Sequence, residues 1–462
     1  MLTVHFFQEG WYEMIGSQFI SAILKSHGFN TTLSVGYNES SLMSIKDGDI
    51  IAFSIMTGME EWALNVARAI KRKRKIKAVF GGPHATYFPE LIREEGCDVL
   101  CRGEGEYAML EFVRSVNEGR DDTSIKNLCF KNKEAIISNP LRELVSNLDE
   151  IPFPDRELYY KQYRYFRNNR TKYVIAGRGC PFSCTFCFNE QMKNMYQGLG
   201  SYMRWRSPQN VIDEIRNIQR YSKTDSIFFM DDTFSLNKKW LRQFLPLYRR
   251  ELGIPFVCLI RADTIDEEIC RLLAHANCKV VGFGIESGDE DLRNELLKKR
   301  VTNKEIYHAA ALLKECCIKF MTFNMVGLPG ETTEQAFKTI ELNIQIGANY
   351  PRCGIFTPYP GTVLGNIVKR EDLLEGKINA NTKHTGSIIK NPDRDKFTNI
   401  NYLFQFAARF PAFLPLVKRG VIFPPNIFFK VIWFVMFVYI FTKSELRKTK
   451  DVFFFLVKTL SK

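Results

Sequence analysis

The chain is poor in the features that would assign it quickly. It has only six histidines in 462 residues, no internal repeat and no low-complexity tract. Its opening, MLTVHFFQEGWYEMIGS, lacks a basic region followed by an apolar one. It reads as a strand and turn, so no secretory leader is expected. No apolar run reaches the roughly 20 residues of a spanning helix; the longest, Ile427–Phe441, is broken by Lys430. The 12 cysteines show no regular framework and sit mostly at apolar or helical positions. That pattern suits buried thiols in a reducing, cytoplasmic compartment. The formal net charge of +13 suits an anionic membrane surface or a merely solvated basic exterior; nucleic acid is not expected as a partner.

What the chain does have is alternation. Its length implies two or three domains, and 45% apolar residues is ample for their cores. Apolar runs at Thr3–Phe7, Thr32–Val35, Asp49–Ile55, Lys77–Phe80 and Asp98–Cys101 alternate with helical patterns. In Glu60–Lys73, for example, Trp62, Val66, Ala69 and Ile70 share a face. This predicts an α/β fold beginning with a flavodoxin-like (Rossmann-like) parallel sheet over residues 1–140. A linker at 141–165 contains the polar, proline-bearing LDEIPFPDRELY. Six further strand–helix units predict a partial (β/α)6, TIM-like barrel over 166–365. Residues 366–462 form a mostly helical C-terminal region.

The sharpest motif is GRGCPFSCTFCFN, Gly177–Asn189, with Cys180, Cys184 and Cys187 and no fourth Cys or His nearby. Three readings are open. A zinc site normally recruits four protein ligands. Three buried thiols without a metal fit poorly with a loop made by GRG and Pro181. A four-iron cluster usually takes four thiolates, so three leave one iron free for another ligand.

The C-x-x-x-C-x-x-C spacing closely resembles that of radical S-adenosylmethionine enzymes. So do FFMDDTF (228–234), RADTI (261–265), GIESGDEDL (284–292), MVGLPGET (325–332) and YPGT (359–362), while GGPHAT (81–86) and RGEGE (102–106) resemble the loops of an N-terminal cobalamin-binding domain. The resemblance covers about residues 1–365. It implies a [4Fe-4S] cluster on Cys180, Cys184 and Cys187, whose open iron binds S-adenosylmethionine and whose electron releases a 5′-deoxyadenosyl radical. It also implies S-adenosylmethionine contacts at Phe186, Asp231, Arg261, Glu286, Gly327 and Pro329. For cobalamin it implies contacts at Gly81, Gly82, His84, Gly103, Glu104 and Gly105. No histidine stands in the D-x-H-x-x-G pattern that supplies a lower ligand to cobalt, so ligation by histidine is not expected.

The activity implied is methylation of an unactivated carbon of a small-molecule or lipid-like substrate, fed by a flavodoxin- or ferredoxin-type electron donor. The alternatives are a radical oxidoreductase or cyclase and, less favoured, a non-catalytic cobalamin or redox sensor. The aromatic-rich run at 427–441 and the basic residues after it suit an interfacial helix, hence peripheral contact with the inner face of a membrane.

Overall fold

The computed structural model describes residues 2–132, 135–376, 378 and 386–460. The chain divides into two compact units, one of residues 1–168 with 194–202 and 458–462, the other of 169–193 with 203–457.

The first unit is built on a seven-stranded sheet. Strands β1 (Thr3–Gln8), β2 (Asn30–Val35), β3 (Ile50–Ser54), β4 (Lys77–Gly81) and β5 (Val99–Cys101) are parallel, in the order β2-β1-β3-β4-β5. An antiparallel pair, β6 (Leu128–Asn132) and β7 (Ala135–Ser138), extends it. The parallel order is the expected flavodoxin-like one, with its switch point between β1 and β3, where such sheets bind ligands. Both faces are covered, because alternate residues of each strand enter different cores. Val4, Phe6, Ile50 and Ala52 pack with Phe19 and Ile23 of helix Ile15–Ser26 and with Val113 of helix Glu106–Asn117. Phe7, Ile51 and Phe53 pack with Ala63, Val66 and Ile70 of helix Glu60–Lys71. Leu148, Leu158, Tyr159 and Phe166 join the first of these cores.

The second unit holds two short strands, β9 (Gly177–Arg178) and β10 (Arg204–Trp205), and a six-stranded parallel sheet in chain order. Its strands are β8 (Thr171–Val174), β11 (Ser226–Phe229), β12 (Phe256–Ile260), β13 (Cys278–Glu286), β14 (Lys319–Val326) and β15 (Tyr350–Ile355). Edges β8 and β15 do not pair, so the barrel is open. Five helices cover its outer face. Each begins on a side chain that accepts the backbone N–H three residues on: Ser207, Asn237, Asp266, Thr302 and Thr332. These caps end each strand-end loop at a fixed residue. Outward residues Phe229, Cys258, Val281 and Phe320 pack with Leu241, Phe244, Ile269 and Leu313 of the helices.

The inner face is layered. Phe228, Val257, Val280, Met321 and Tyr350 are buried under Met436 and Ile440 of helix Ile427–Ser444. That helix therefore floors the half-barrel. Its end ties the two open edges together. Thr171 on β8 donates to the carbonyls of Glu445 (3.2 Å) and Leu446 (3.0 Å), and the Tyr173 hydroxyl donates to Glu445 Oε2 (3.2 Å). From β15, both terminal nitrogens of Arg352 donate to Glu445 Oε1 at 3.1 Å.

Candidate active site

The cluster loop leaves the edge of the half-barrel between β9 and the helix Asn189–Met195. Asp231, just beyond β11, is buried and holds the start of that loop. Its carboxylate accepts the amides of Ala176 (3.1 Å) and Gly177 (2.6 Å), and burial still pushes its pKa up to about 7. Thr185 pins the middle of the loop to the next wall, donating its amide to Leu297 O (3.1 Å) and its hydroxyl to Leu296 O (2.7 Å).

Each of the three sulfurs meets a polar group. Cys187 Sγ accepts from the backbone N–H (3.5 Å) and side-chain amide (3.6 Å) of Asn189. Cys184 Sγ accepts from Arg261 Nη1 at 3.7 Å, and Cys180 Sγ lies 3.9 Å from Thr233 Oγ1. Burial raises the pKa of all three thiols, an effect that coordination reverses, since a bound thiol is deprotonated outright. Among the described residues no three His, Cys, Asp or Glu converge closely enough to hold a single metal ion. One buried and two half-buried sulfurs on one loop, two of them with N–H donors aimed at them, fit thiolates of an iron–sulfur cluster.

Arg261 follows β12 and is committed to the protein around it. Nε and Nη2 form a two-pronged pair with Asp263, each at 2.9 Å; Nη2 also donates to Lys299 O (2.8 Å), and the guanidinium carbon lies 3.5 Å from the Phe182 ring centre. Its fork therefore positions Cys184 and Phe182.

Glu286 ends β13 with φ +64°, a left-handed conformation that a non-glycine residue adopts at a cost. The register with β14 shifts there. Its carboxylate folds back to Lys299 Nζ (3.0 Å), both side chains being buried. A Cβ at Gly284 would overlap Glu286 Oε1, so the glycine makes room for this pair. Lys299 is held by its own loop, where the fully buried Arg293 donates to Ser287 O (2.8 Å) and Val301 O (2.7 Å). Phe186 packs below Lys299, whose Nζ lies 6.0 Å from the ring centre, and Phe188 lies 5.9 Å from the Tyr359 ring. Gly327 has φ +76° and opens the turn containing Pro329. Buried Glu331 accepts the Leu328 amide (3.0 Å) under that turn, its pKa raised by burial to about 8.

Thus Phe186, Arg261, Glu286 and the cluster cysteines are drawn together through Lys299, while Asp231 holds the loop's entry. Lys299, Asn189 and Phe182 were not foreseen. Asn189 and Phe182 lie inside the quoted motif. Lys299 follows the ESGDEDL stretch by only a few residues, and its cation had no evident partner in the linear sequence.

In the first unit, Gly81, Gly82 and His84 lie at the end of β4, and Gly103, Glu104 and Gly105 at the end of β5. Gly82 has φ +89°, and a Cβ there would press on the backbone of Ile55 (2.8 Å). Gly103 has φ +72° and lies against the Tyr196 hydroxyl, which accepts the Glu104 amide (3.0 Å). Both glycines thus make room for the protein's own atoms, Ile55 and Tyr196, at the carboxyl ends of the strands, the end at which sheets of this order bind ligands. His84 Nδ1 lies 3.1 Å from Thr57 Oγ1 and its ring 4.6 Å from Phe88; burial lowers its pKa and favours the neutral ring.

An open parallel half-barrel with a three-cysteine loop, preceded in the chain by a flavodoxin-like sheet, sets the class: an α/β protein that carries cofactors at its strand ends. Family models agree: the radical SAM superfamily matches residues 174–342 and the B12 binding domain residues 9–113. The chain is 31% identical over 332 residues to an uncharacterized methyltransferase of Pyrococcus horikoshii, covering 71% of both chains. It is 27% identical over 310 residues to the anaerobic magnesium-protoporphyrin IX monomethyl ester cyclase of Rubrivivax gelatinosus, covering 65% of this chain and 54% of that one. Its fold is similar to that of the cobalamin-dependent S-adenosylmethionine radical enzyme OxsB, with TM-score 0.69 at 15% identity, covering 100% of this chain and 75% of that one. The chain belongs to the cobalamin-binding radical S-adenosylmethionine enzymes. Its cofactors are accordingly a [4Fe-4S] cluster, S-adenosylmethionine and cobalamin.

Proposed function

We propose that this enzyme methylates an unactivated carbon of a small-molecule or lipid-like substrate, drawing electrons from a flavodoxin- or ferredoxin-type donor. The observation that carries the reading is the presence, in one chain, of a radical SAM unit with its three-cysteine loop and a B12-binding unit. When bound, the cluster and S-adenosylmethionine supply radical chemistry, and cobalamin supplies a methyl carrier. The protein's part is positional. Cys180, Cys184 and Cys187 would hold the cluster, with Asn189 and Arg261 donating to their sulfurs. Glu286, with Lys299 beside it, offers a carboxylate to hydroxyl groups of the nucleoside. The turn at Gly327–Pro329 offers backbone to its base. Gly81, Gly82, His84, Gly103, Glu104 and Gly105 would line the cobalamin site.

The test is anaerobic reconstitution. The reduced protein should form 5′-deoxyadenosine from S-adenosylmethionine and retain cobalamin through gel filtration. If it makes 5′-deoxyadenosine but never binds cobalamin, the second reading, oxidative or ring-forming chemistry as in the cyclase relative, takes its place.

We propose further that the enzyme meets the inner face of a membrane. Helix Ile427–Ser444 is long and apolar enough by composition to cross a bilayer, yet Trp433, Met436 and Ile440 face the protein. A helix that floors a half-barrel with one side has only the other for lipid. That side exposes Ile427, Phe428, Val431, Val435 and Tyr439, and Lys430, Lys443, Lys448 and Lys450 are exposed on or beside the helix. Apolar surface with flanking cations suits an anionic interface. The protein should co-sediment with vesicles containing a quarter phosphatidylglycerol, and Phe428→Glu with Val431→Glu should abolish this; retention of binding by the double variant counts against the contact.

A further inference from the structure

Residues 71–77 read KRKRKIK, six cations in seven positions, and neither cofactor loop uses them. The segment leaves helix Glu60–Lys71 and enters β4 at its amino end. The cobalamin loops follow the carboxyl ends of the same sheet, and a five-residue strand is about 17 Å long. The cations thus stand at the opposite edge of the sheet from the cofactor.

The backbone beneath them is braced. The turn 72–76 is tied to the turn 44–49, which precedes β3. Gly48 N–H donates to Lys75 O (2.8 Å), Lys75 N–H to Asp47 Oδ1 (2.8 Å) and Arg74 Nε to Ile45 O (2.9 Å). The charges sort into two sets. Lys71 is matched by Asp98 and Lys77 by Asp121. Arg72, Lys73 and Lys75, with Lys46 of the second turn, are exposed and have no ion pair among the described residues. Met43, 81% exposed, ends the short helix that leads into the turn 44–49.

Four unmatched cations on two braced turns make a standing positive potential, which calls for an anionic partner. What stands among them selects the kind. Neither turn carries an aromatic ring on which a base could stack, or an amide side chain to read one. An exposed thioether leads into them instead, and the same chain carries the exposed apolar stripe of helix Ile427–Ser444. Cations beside protruding apolar side chains suit anionic lipid headgroups.

We propose that the amino edge of the first unit's sheet, at Lys46, Arg72, Lys73 and Lys75, is a docking surface for anionic lipid headgroups. The proposal rests on the membrane reading above and adds an electrostatic contact on the other unit. Each cation near an anionic surface is worth about a fivefold gain in affinity. Four alone bind only marginally, so the patch strengthens a contact that the apolar helix carries.

The test is co-sedimentation of the full-length protein with phosphatidylcholine vesicles containing a quarter phosphatidylglycerol, and with vesicles of phosphatidylcholine alone. Arg72→Gln with Lys73→Gln and Lys75→Gln removes three exposed cations and no ion pair, so its melting curve should overlay wild type. The triple variant should bind the anionic vesicles about tenfold or more less tightly than wild type. It should bind the neutral vesicles as wild type does, and added salt should narrow the difference on the anionic ones. Equal affinity of the triple variant and wild type for anionic vesicles would overturn the patch and leave the helix contact standing. An equal loss on neutral vesicles would overturn it too. Loss in the triple variant, with full binding by Phe428→Glu with Val431→Glu, would keep the patch and remove the helix contact. No binding of wild type to anionic vesicles would remove both. An oligonucleotide that binds wild type more tightly than the anionic vesicles do, and fails to bind the triple variant, would overturn the lipid assignment and make the patch a nucleic-acid surface.

Discussion

At the scale of single residues, the site is a set of commitments already made. Arg261 shows this best. The family resemblance implies a contact between it and S-adenosylmethionine. In the structure its fork is taken by Asp263 and Lys299 O, and one nitrogen reaches Cys184. We predict that Arg261→Gln leaves S-adenosylmethionine binding less affected than the cluster. Losing an N–H donor to a cluster thiolate should move the reduction potential to a more negative value. An unchanged potential, measured by redox titration followed by electron paramagnetic resonance, would contradict the assignment. Cys180→Ala, Cys184→Ala and Cys187→Ala should each abolish the four-iron signal, while Cys317→Ala, at an exposed position, should retain it in full. For His84, bound to Thr57 through Nδ1 and favoured neutral, the expected result is negative. His84→Ala should lower cobalamin affinity at most and leave the cobalt spectrum without a nitrogen ligand. A nitrogen-ligated spectrum that vanishes in the variant would make His84 the lower ligand.

At the scale of elements, the sequence was most informative where periodicity and loop chemistry coincide. The strands before FFMDDTF, RADTI, GIESGDEDL and MVGLPGET read clearly because apolar runs end at a polar motif and a cap. Other features lie in contacts distant along the chain. Gly103 reads as a ligand-facing glycine, but its space is taken by Tyr196, 93 residues on. Gly284 reads as part of a strand motif, but it is there to admit the carboxylate of Glu286 and the amine of Lys299. The clasp is the least legible element. Glu445 stands among cations in KSELRK, where nothing in the linear sequence names its partner, yet it is buried and joins β8 to β15. Glu445→Gln keeps the shape and removes the charge facing Arg352. Removing one partner of a buried pair costs about 3 kcal/mol, so thermal unfolding should begin several degrees lower. A melting curve that overlays wild type would show that the clasp does not hold the edges.

At the scale of the whole molecule, the fold class and the two-cofactor identity were legible because each cofactor leaves a loop motif at a strand end. The role of the C-terminal hundred residues was not, because a floor helix and a membrane helix share one composition. What distinguishes them is which side is buried, and that is set by packing. The account then makes one central claim: radical chemistry and a cobalamin methyl carrier serve one methylation. The most direct measurement gives the reduced, reconstituted protein S-adenosylmethionine labelled with carbon-13 in its methyl group, together with a lipid extract of its own cells. Products are read by mass spectrometry. The account predicts a labelled carbon-methyl product that requires cobalamin and is absent with Cys184→Ala. A product without the label, formed equally with and without cobalamin while 5′-deoxyadenosine accumulates, would contradict it.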